Sequence, residues 1–546
     1  MENRTIVPWD KDDIDTLGFF KIDVLGLGML TVIRKCLDLV RDRSDAPEGL
    51  RAGSAIERLA KIPGEETEVY DALCRADTVG VFQIESRAQM AMLPRLLPRK
   101  FYDLVIEVAI VRPGPIQGGM VHPFLRRRAG EEPCDPPHPI LAPILDRTLG
   151  VPLFQEQVMQ IAIVGAGYSG GEADRLRRDM AAWRRTGSLD RHHDRLLSGF
   201  RERGISEEFG QRLFQQIHGF AEYGFPESHA ASFALLVYAS AWLKVHFPAE
   251  FAAALVNSQP MGFYSPSTIF QDAVRHGVEL LPIEIDKSRW DCTCEARENK
   301  TSIRLGLRLV SGLGEEAGRR VEAARDERVF ETVEDIAHRA SLHKRDLMLL
   351  AEAGALDTMC GGRRDAIWKV VGPRLSDLYD GLESAEPRAS LAKMSRAEQL
   401  ALDYERTGVS VADHPMKLLR PKLPKRFKSS RDILSLTSGT RVTVPGLVIC
   451  RQRPGTASGV VFLTMEDEHG FSNVVLWAKT FEKFHQVATA SRLLAVHGKI
   501  ERSDDPKGFK PADPNAPQSV VYVIAEKLER LDPAFPGLAS MSRDFH

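Results

Sequence analysis

Between residues 65 and 290, apolar side chains recur at three- and four-residue intervals, the spacing of one buried helical face. Proline and glycine interrupt the pattern at Arg112-Pro113-Gly114-Pro115 and at Tyr223-Gly224-Phe225-Pro226. After the second break, Ser228 is placed to cap a long apolar helix running to about Phe247, where Pro248 follows. Upstream, Met29 to Val40 has helical spacing. The run Leu17-Gly18-Phe19-Phe20-Lys21-Ile22-Asp23-Val24-Leu25-Gly26 carries one embedded carboxylate and reads as a buried strand or strand end. Residues 300–360 predict two short helix–turn–helix units. The first turns at Val310-Ser311-Gly312-Leu313-Gly314; the second lies around Leu342 to Leu356 and carries Ala353-Gly354-Ala355. Residues 361–437 read as a connector with helical patches and a basic run that includes Lys422, Lys425, Arg426 and Lys428.

From 438 to 531 the period drops to two. Arg441–Cys450, Val460–Glu466, Asn473–Trp477, Leu493–Ile500 and Val520–Ile524 predict short strands, with a hairpin turn at Asp467-Glu468-His469-Gly470 and a helix near Phe481–Ala490. Five such strands and one helix suit an OB-type barrel. The fold class expected is therefore multidomain and mainly α, with a small α/β remnant at the start, tandem helix-hairpin-helix units and a C-terminal β barrel. Residues 532–546 read as a tail.

The 546 residues suffice for three or four domains, and 43% hydrophobic with 27% charged residues is ordinary for a soluble fold. No apolar run approaches the roughly 20 residues that span a bilayer, and the first residues do not read as a signal peptide. The seven cysteines lack metal-site spacing, Cys292 and Cys294 being a weak signal at most, and read as reduced thiols of a cytoplasmic protein. The net charge of −2 excludes a simple polycation but not a basic groove on a large protein.

Several blocks, in order, resemble the bacterial C-family DNA polymerases related to the polymerase III alpha subunit. Phe20-Lys21-Ile22-Asp23-Val24-Leu25-Gly26 is similar to the palm block that supplies a metal-binding aspartate. Gly80-Val81-Phe82-Gln83-Ile84-Glu85-Ser86 is similar to the start of the fingers. Val111-Arg112-Pro113-Gly114-Pro115, Phe154-Gln155-Glu156-Gln157-Val158-Met159, Ala173-Asp174-Arg175-Leu176-Arg177-Arg178 and Tyr223-Gly224-Phe225 with Ser228-His229-Ala230-Ala231 are further family blocks. Met180-Ala181-Ala182-Trp183-Arg184-Arg185 stands where replicative members show Gly-Lys-Lys, and Ser542-Arg543-Asp544-Phe545-His546 is similar to the ending of the error-prone branch. The resemblance divides the chain into a partial palm (1–30), fingers (31–299), a helix-hairpin-helix pair (300–362), a connector (363–437), an OB barrel (438–531) and the tail. Family members carry a phosphoesterase-like domain, a thumb and a paired-aspartate palm motif before the block at Asp23, so the expectation is a truncated chain that is inactive alone.

The resemblance implies an error-prone DNA-directed DNA polymerase acting in repair and lesion bypass on primer–template DNA and dNTPs, with a recombinase-like accessory protein and a Y-family-like protein as partners. The alternative is a non-catalytic DNA-binding fragment. Phosphoryl transfer uses two Mg²⁺ ions about 3.5–4 Å apart, held by several carboxylates. Here only Asp23 matches, so the Mg²⁺ site is expected to be incomplete. Its plain alternative is a strand-end aspartate capping a turn. Asp12, Asp13 and Asp15 read as a solvated face.

Arg175, Arg177 and Arg178 place guanidinium forks at a helix start, suited to triphosphate oxygens. Residues 175 and 178 share one helical face, and Arg184 and Arg185 extend the stripe. Interleaved Glu172, Asp174 and Asp179 also permit an ion-paired surface. His229, near free helix N–H groups, and Lys244 are further nucleotide candidates. His229 reads equally as a capped structural histidine. Tyr223 and Phe225 suit either the nascent base pair or the core. Arg112 suits DNA or an acidic partner. In the hairpins, Ser311, Gly312, Gly314 and Lys344 are candidates for gripping phosphate without reading sequence, against an ordinary αα-turn. In the barrel, Arg451, Arg453, Phe462, Phe471 and Trp477 are candidates for unpaired template, although most aromatics of small barrels are core.

Overall fold

The structure is a computed structural model. It describes residues 26–111, 120–134, 138–186, 192–220, 226–262, 264–297, 300–372, 391–453, 459–502, 520–532 and 543–545, with Asp13 and Leu17; the side chains of 181–186, 217–220 and 543–545 are not included. The apolar run around Asp23 and the segments holding Arg112, Tyr223 and Phe225 lie outside the described residues.

Helix Leu27–Arg41 buries Met29, Val32, Ile33, Cys36, Leu37 and Val40, one stripe of three- and four-residue steps. That stripe packs on helix Pro248–Asn257. The centre of the helical lobe is helix Glu227–His246, which lies against helices Phe101–Ile110 and Thr67–Cys74. Buried alanines at 230, 234, 239 and 241 let these backbones approach closely. This helix starts one residue before the expected Ser228. Pro226 is its N-cap, and the first backbone N–H, of Glu227, donates to Glu156 Oε2 at 3.1 Å. A carboxylate from another helix thus serves where a hydroxyl was expected. Helix His193–Glu202 crosses helix Gln155–Ala166 at Gly199, where an added Cβ would lie 2.1 Å from Ala166 O.

The helical spacing does not continue to 290. Strand β1 (Glu279–Leu281) pairs in parallel with β3 (Lys300–Arg304), and β2 (Thr293–Arg297) pairs antiparallel with β3. These strands are too short and too polar to show a period in sequence. Arg304, 1% exposed, ties the sheet down through Glu295, Glu284 and the Pro282 carbonyl. Cys292 accepts from Gly306 N–H through its sulfur, and burial pushes its thiol up to about 12.

Helices Glu315–Glu327, Val333–Arg339, Lys344–Glu352 and Arg363–Val371 follow. The connector is more than a tether. The C-terminal half of helix Arg396–Arg406 is tied down: the Arg406 carbonyl accepts from Ser311 N–H at 2.7 Å, Arg406 pairs with Glu352 at 2.6 Å, and Asp403 pairs with Arg363 at 2.5 Å. On this helix, Leu400 and Tyr404 share a core with Met416, Leu419, Leu447 and Leu493.

The last region is a closed ring of strands, β4 (Arg441–Gln452), β5 (Val461–Asp467), β6 (Gly470–Leu476), β8 (Val521–Arg530) and β7 (Leu493–Arg502), with β7 returning to β4. Strand β9 (Arg543–Phe545) adds to β4 in parallel. The β6–β8 pair is parallel and the other pairs in the ring are antiparallel. Short helices Ala478–Lys483 and His485–Ala490 lie between the third and fourth strands in sequence. This order is that of an OB barrel, as expected. Asp467, 3% exposed, fixes the β5–β6 turn by accepting from His469 N–H, Gly470 N–H and Ser430.

Candidate nucleic-acid interface

Three places gather the chemistry expected of this chain. The first is helix Gly170–Thr186. Ser169 precedes it, and Glu172 reaches back to Ser169 N–H at 2.7 Å, a capping pair that fixes the first turn. Asp174 then receives two guanidinium groups, Arg177 at 3.0 Å and Arg178 at 2.8 Å. The bond from Arg177 is the main cause that holds the Asp174 carboxyl below its ordinary value. Asp179 meets His192 Nε2 at 2.8 Å. The side chains of Arg177 and Arg178 remain 43% and 68% exposed, and Arg175 is exposed on the same helix. The helical-wheel expectation paired Arg175 with Arg178; the structure pairs Arg177 with Arg178 on one carboxylate. The Arg184 and Arg185 side chains are outside the description.

The second place is the interior of the same lobe. Lys244, 4% exposed, puts its Nζ 2.7 Å from Asp77 Oδ1, 2.9 Å from Asp272 Oδ2 and 3.1 Å from the Val79 carbonyl. His276 Nε2 lies 2.6 Å from Asp77 Oδ2. Burial works to raise the Asp77 carboxyl, yet Lys244 and then His276 outweigh it and hold it well below its ordinary value. His276 is raised, chiefly by its bond to Asp77. Expected as a nucleotide contact, Lys244 is committed instead to two carboxylates and a carbonyl. Asp77, Asp272 and His276 are also close enough to share a metal ion. They do not fit Mg²⁺: one donor is an imidazole, Mg²⁺ takes oxygen ligands, and the ammonium already engages one oxygen of each carboxylate. His229 lies in the first turn of helix Glu227–His246, half-buried, with its ring centroid 4.2 Å from that of Phe233.

The hairpins form the third. Gly312 has φ +87° and is exposed, and Gly314 is the exposed N-cap of helix Glu315–Glu327. The Ser311 N–H, expected to face phosphate, goes to the Arg406 carbonyl, and Lys344 Nζ donates to the Val371 carbonyl at 2.8 Å. Glu315 and Glu316 stand beside the first turn. At the second turn, Gly354 has φ +82°, and the Arg363 guanidinium fills the space a Cβ would need.

In the barrel, Arg451 folds back onto the Ala488 carbonyl at 2.7 Å and onto that of Ser491, while Arg453 lies 5.4 Å from the Phe481 ring centroid. Trp477 is 55% exposed. Phe462 and Phe471 are neither barrel core nor open. Arg87 of the helical lobe sits over Phe462 at 5.4 Å and Arg275 over Phe471 at 4.4 Å. Between lobe and barrel lies a cavity of about 150 Å³, lined among others by Glu85, Arg87, Tyr264, Gln452 and Asn473. Sequence spacing singled out none of these five as site residues. The only available signal was the block ending Glu85-Ser86, because cross-strand register is invisible in sequence.

Residues 29–204 match the family of the bacterial DNA polymerase III alpha subunit finger domain, and residues 277–366 match the helix-hairpin-helix motif. Over its whole length the chain is similar to proteins named error-prone DNA polymerase. It is 51% identical to that of Pseudomonas paraeruginosa (strain DSM 24068 / PA7), covering 52% of that protein, and 52% identical to that of Pseudomonas fluorescens (strain Pf0-1), covering 51%. The protein of that name from Alkalilimnicola ehrlichii is 51% identical, with 51% of its length covered. The chain thus spans about half the length of the curated relatives it matches.

Proposed function

Because the chain belongs to the bacterial C family of DNA polymerases, polymerase III alpha-like and of the error-prone kind, we propose that it provides the fingers, hairpin and barrel parts of a template-directed nucleotidyl transferase used in DNA repair and lesion bypass. The observation that carries this reading is the exposed arginine group on helix Gly170–Thr186, within the segment that matches the finger domain. Asp174 keeps Arg177 and Arg178 extended side by side. An arriving triphosphate displaces that carboxylate and takes both forks, and the exposed Arg175 adds a third. In the reaction the primer 3′-oxygen bonds to the α-phosphorus as the bond to pyrophosphate breaks. Asp23, which matches the palm block, is the residue of this chain that would help hold Mg²⁺, and the ion would supply charge stabilisation to that exchange.

The exposed turn at Gly312 and Gly314 supports a sequence-independent grip on backbone phosphate. Glu315 and Glu316 keep that grip weak and reversible. The second reading, DNA binding without catalysis, is favoured for this polypeptide alone by its single matched carboxylate: two ions are not held in reactive geometry by Asp23. The recombinase-like and Y-family-like partners belong to the same proposal.

A fluorescent primer–template titrated with this chain, with and without dNTP and Mg²⁺, tests both readings. Binding without extension is expected, tightened by dNTP, with the tightening lost in Arg177→Ala/Arg178→Ala. Extension abolished by Asp23→Ala would sink the incomplete-site reading. Undiminished dNTP tightening in the arginine variant would sink the assignment of the stripe.

A further inference from the structure

We propose that the cavity between the helical lobe and the barrel holds one pyrimidine base of unpaired template DNA. The inference rests on the reading that this chain handles DNA, and adds a base site to it. Strand register builds one wall. Cys450, Thr464, Asn473 and Tyr522 are successive partners across β4, β5, β6 and β8, so they form one rung on the outer face of the barrel. Thr464 meets the lobe directly: Arg87 Nη2 donates to its hydroxyl at 2.5 Å.

The cavity of about 150 Å³ adjoins a second of about 260 Å³, with which it shares Arg87, Met90, Phe471 and Asn473. A space of roughly 150 Å³ takes one six-membered ring. The adjoining space leaves room for the sugar and phosphate, and exposed Arg75 lines it. Tyr264, Met90, Ile449 and Phe471 supply apolar and aromatic wall. Gln452 and Asn473 line the first cavity, and neither side-chain amide hydrogen-bonds to another described residue. Two amides supply both donors and acceptors, which is what the edge of a pyrimidine requires.

The electrostatics favour an electron-rich ligand. Arg87 has no carboxylate in ion-pair range among the described residues, and its Nη1 is buried without a hydrogen-bond partner. Burial pulls its guanidinium down to about 10, which leaves it charged at neutral pH. Glu85, on the same wall, is the one carboxyl group of the first cavity. Burial pushes it up to about 8, so it is mostly protonated and offers a donor rather than a negative charge. A base carbonyl or a phosphate oxygen therefore meets no repulsion here, and a protein carboxylate from the lobe does not already fill the place.

The test uses the whole chain with fluorescent oligothymidylate, oligodeoxyadenylate and an abasic strand of the same length. Wild type is expected to bind thymidylate roughly tenfold tighter than the abasic strand, the lower range for one held base. Gln452→Ala/Asn473→Ala is expected to keep its affinity for the abasic strand and its melting temperature and to lose the preference. Photocrosslinking of a bromodeoxyuridine strand to wild type gives a second measurement, and adducts on the peptides carrying Tyr264 or 449–473 support the site. An unchanged preference in the variant, no preference in wild type, or adducts confined to other peptides overturns it. Failure to bind any of the strands would instead remove the DNA-handling reading on which it rests.

Discussion

Replacing Lys244 by methionine separates two roles with opposite signatures. In the structure the ammonium is buried and lies within 3.1 Å of two carboxylates and one carbonyl. Methionine fills similar volume but leaves Asp77 and Asp272 facing each other without their counter-charge. Removing one partner of a buried ion pair costs about 3–5 kcal/mol. His276 stays on Asp77 at 2.6 Å and shares the charge, so the lower end, about 3 kcal/mol, is expected. At about 2–4 °C per kcal/mol for a domain of this size, the first thermal transition falls by about 6–12 °C. Adding Asp77→Asn and Asp272→Asn removes the stranded charges and restores most of the loss. The pH dependence follows in sign. Asp77 is depressed, so its contribution is present above about pH 3.9 and is lost as pH falls through its folded value. His276 is raised, so its contribution is complete below about pH 6.5 and is lost as pH rises through its folded value. Scanning calorimetry of wild type and the two variants reads all of this. A Lys244→Met chain with unchanged melting and weakened dNTP binding would refute the structural assignment and return Lys244 to the nucleotide.

Three other outcomes are expected. Glu107 is fully buried with neither carboxylate oxygen partnered among the described residues, and burial holds the group protonated well above its ordinary range. A raised carboxyl weakens the fold by about 1.4 kcal/mol per pH unit above about pH 4.3 until it ionises, so Glu107→Gln gains on wild type as pH rises; parallel denaturant midpoints at the two ends of that range would count against this. Gly199→Ala drives a methyl into the Ala166 carbonyl and is expected to lower stability by about 1–3 kcal/mol, read by thermal melting. Trp477→Ala removes an exposed ring and is expected to change stability by less than about 0.5 kcal/mol. It should also leave oligothymidylate binding intact, because the proposed base site lies elsewhere on the barrel.

What the sequence made legible was what repeats locally. The stripe Met29 to Val40, the long helix ending before Phe247 and the alternating strands of the barrel were all visible as periods, although the third barrel strand starts three residues before the expected Asn473 and the fifth runs on to Arg530. The three-stranded sheet was not, since β1 has only three residues and three of the five residues of β2 are polar. The candidate site divides along the same line. The arginines of helix Gly170–Thr186 are near neighbours in sequence, so their grouping on one helix is legible there. The partners of Lys244 come from residues 77, 79 and 272, and no local pattern announces such a meeting. The cavity walls likewise come from 85–90, 264–268 and 449–473. Ser311 reads as a phosphate donor only until the carbonyl of residue 406 is found on its N–H.

Helix Arg396–Arg406 bonds both hairpin turns on one side and shares apolar packing with β4 and β7 on the other. It therefore acts as a strut. The hairpins and the barrel thus lean on one shared helix, and displacing either breaks contacts that this helix makes.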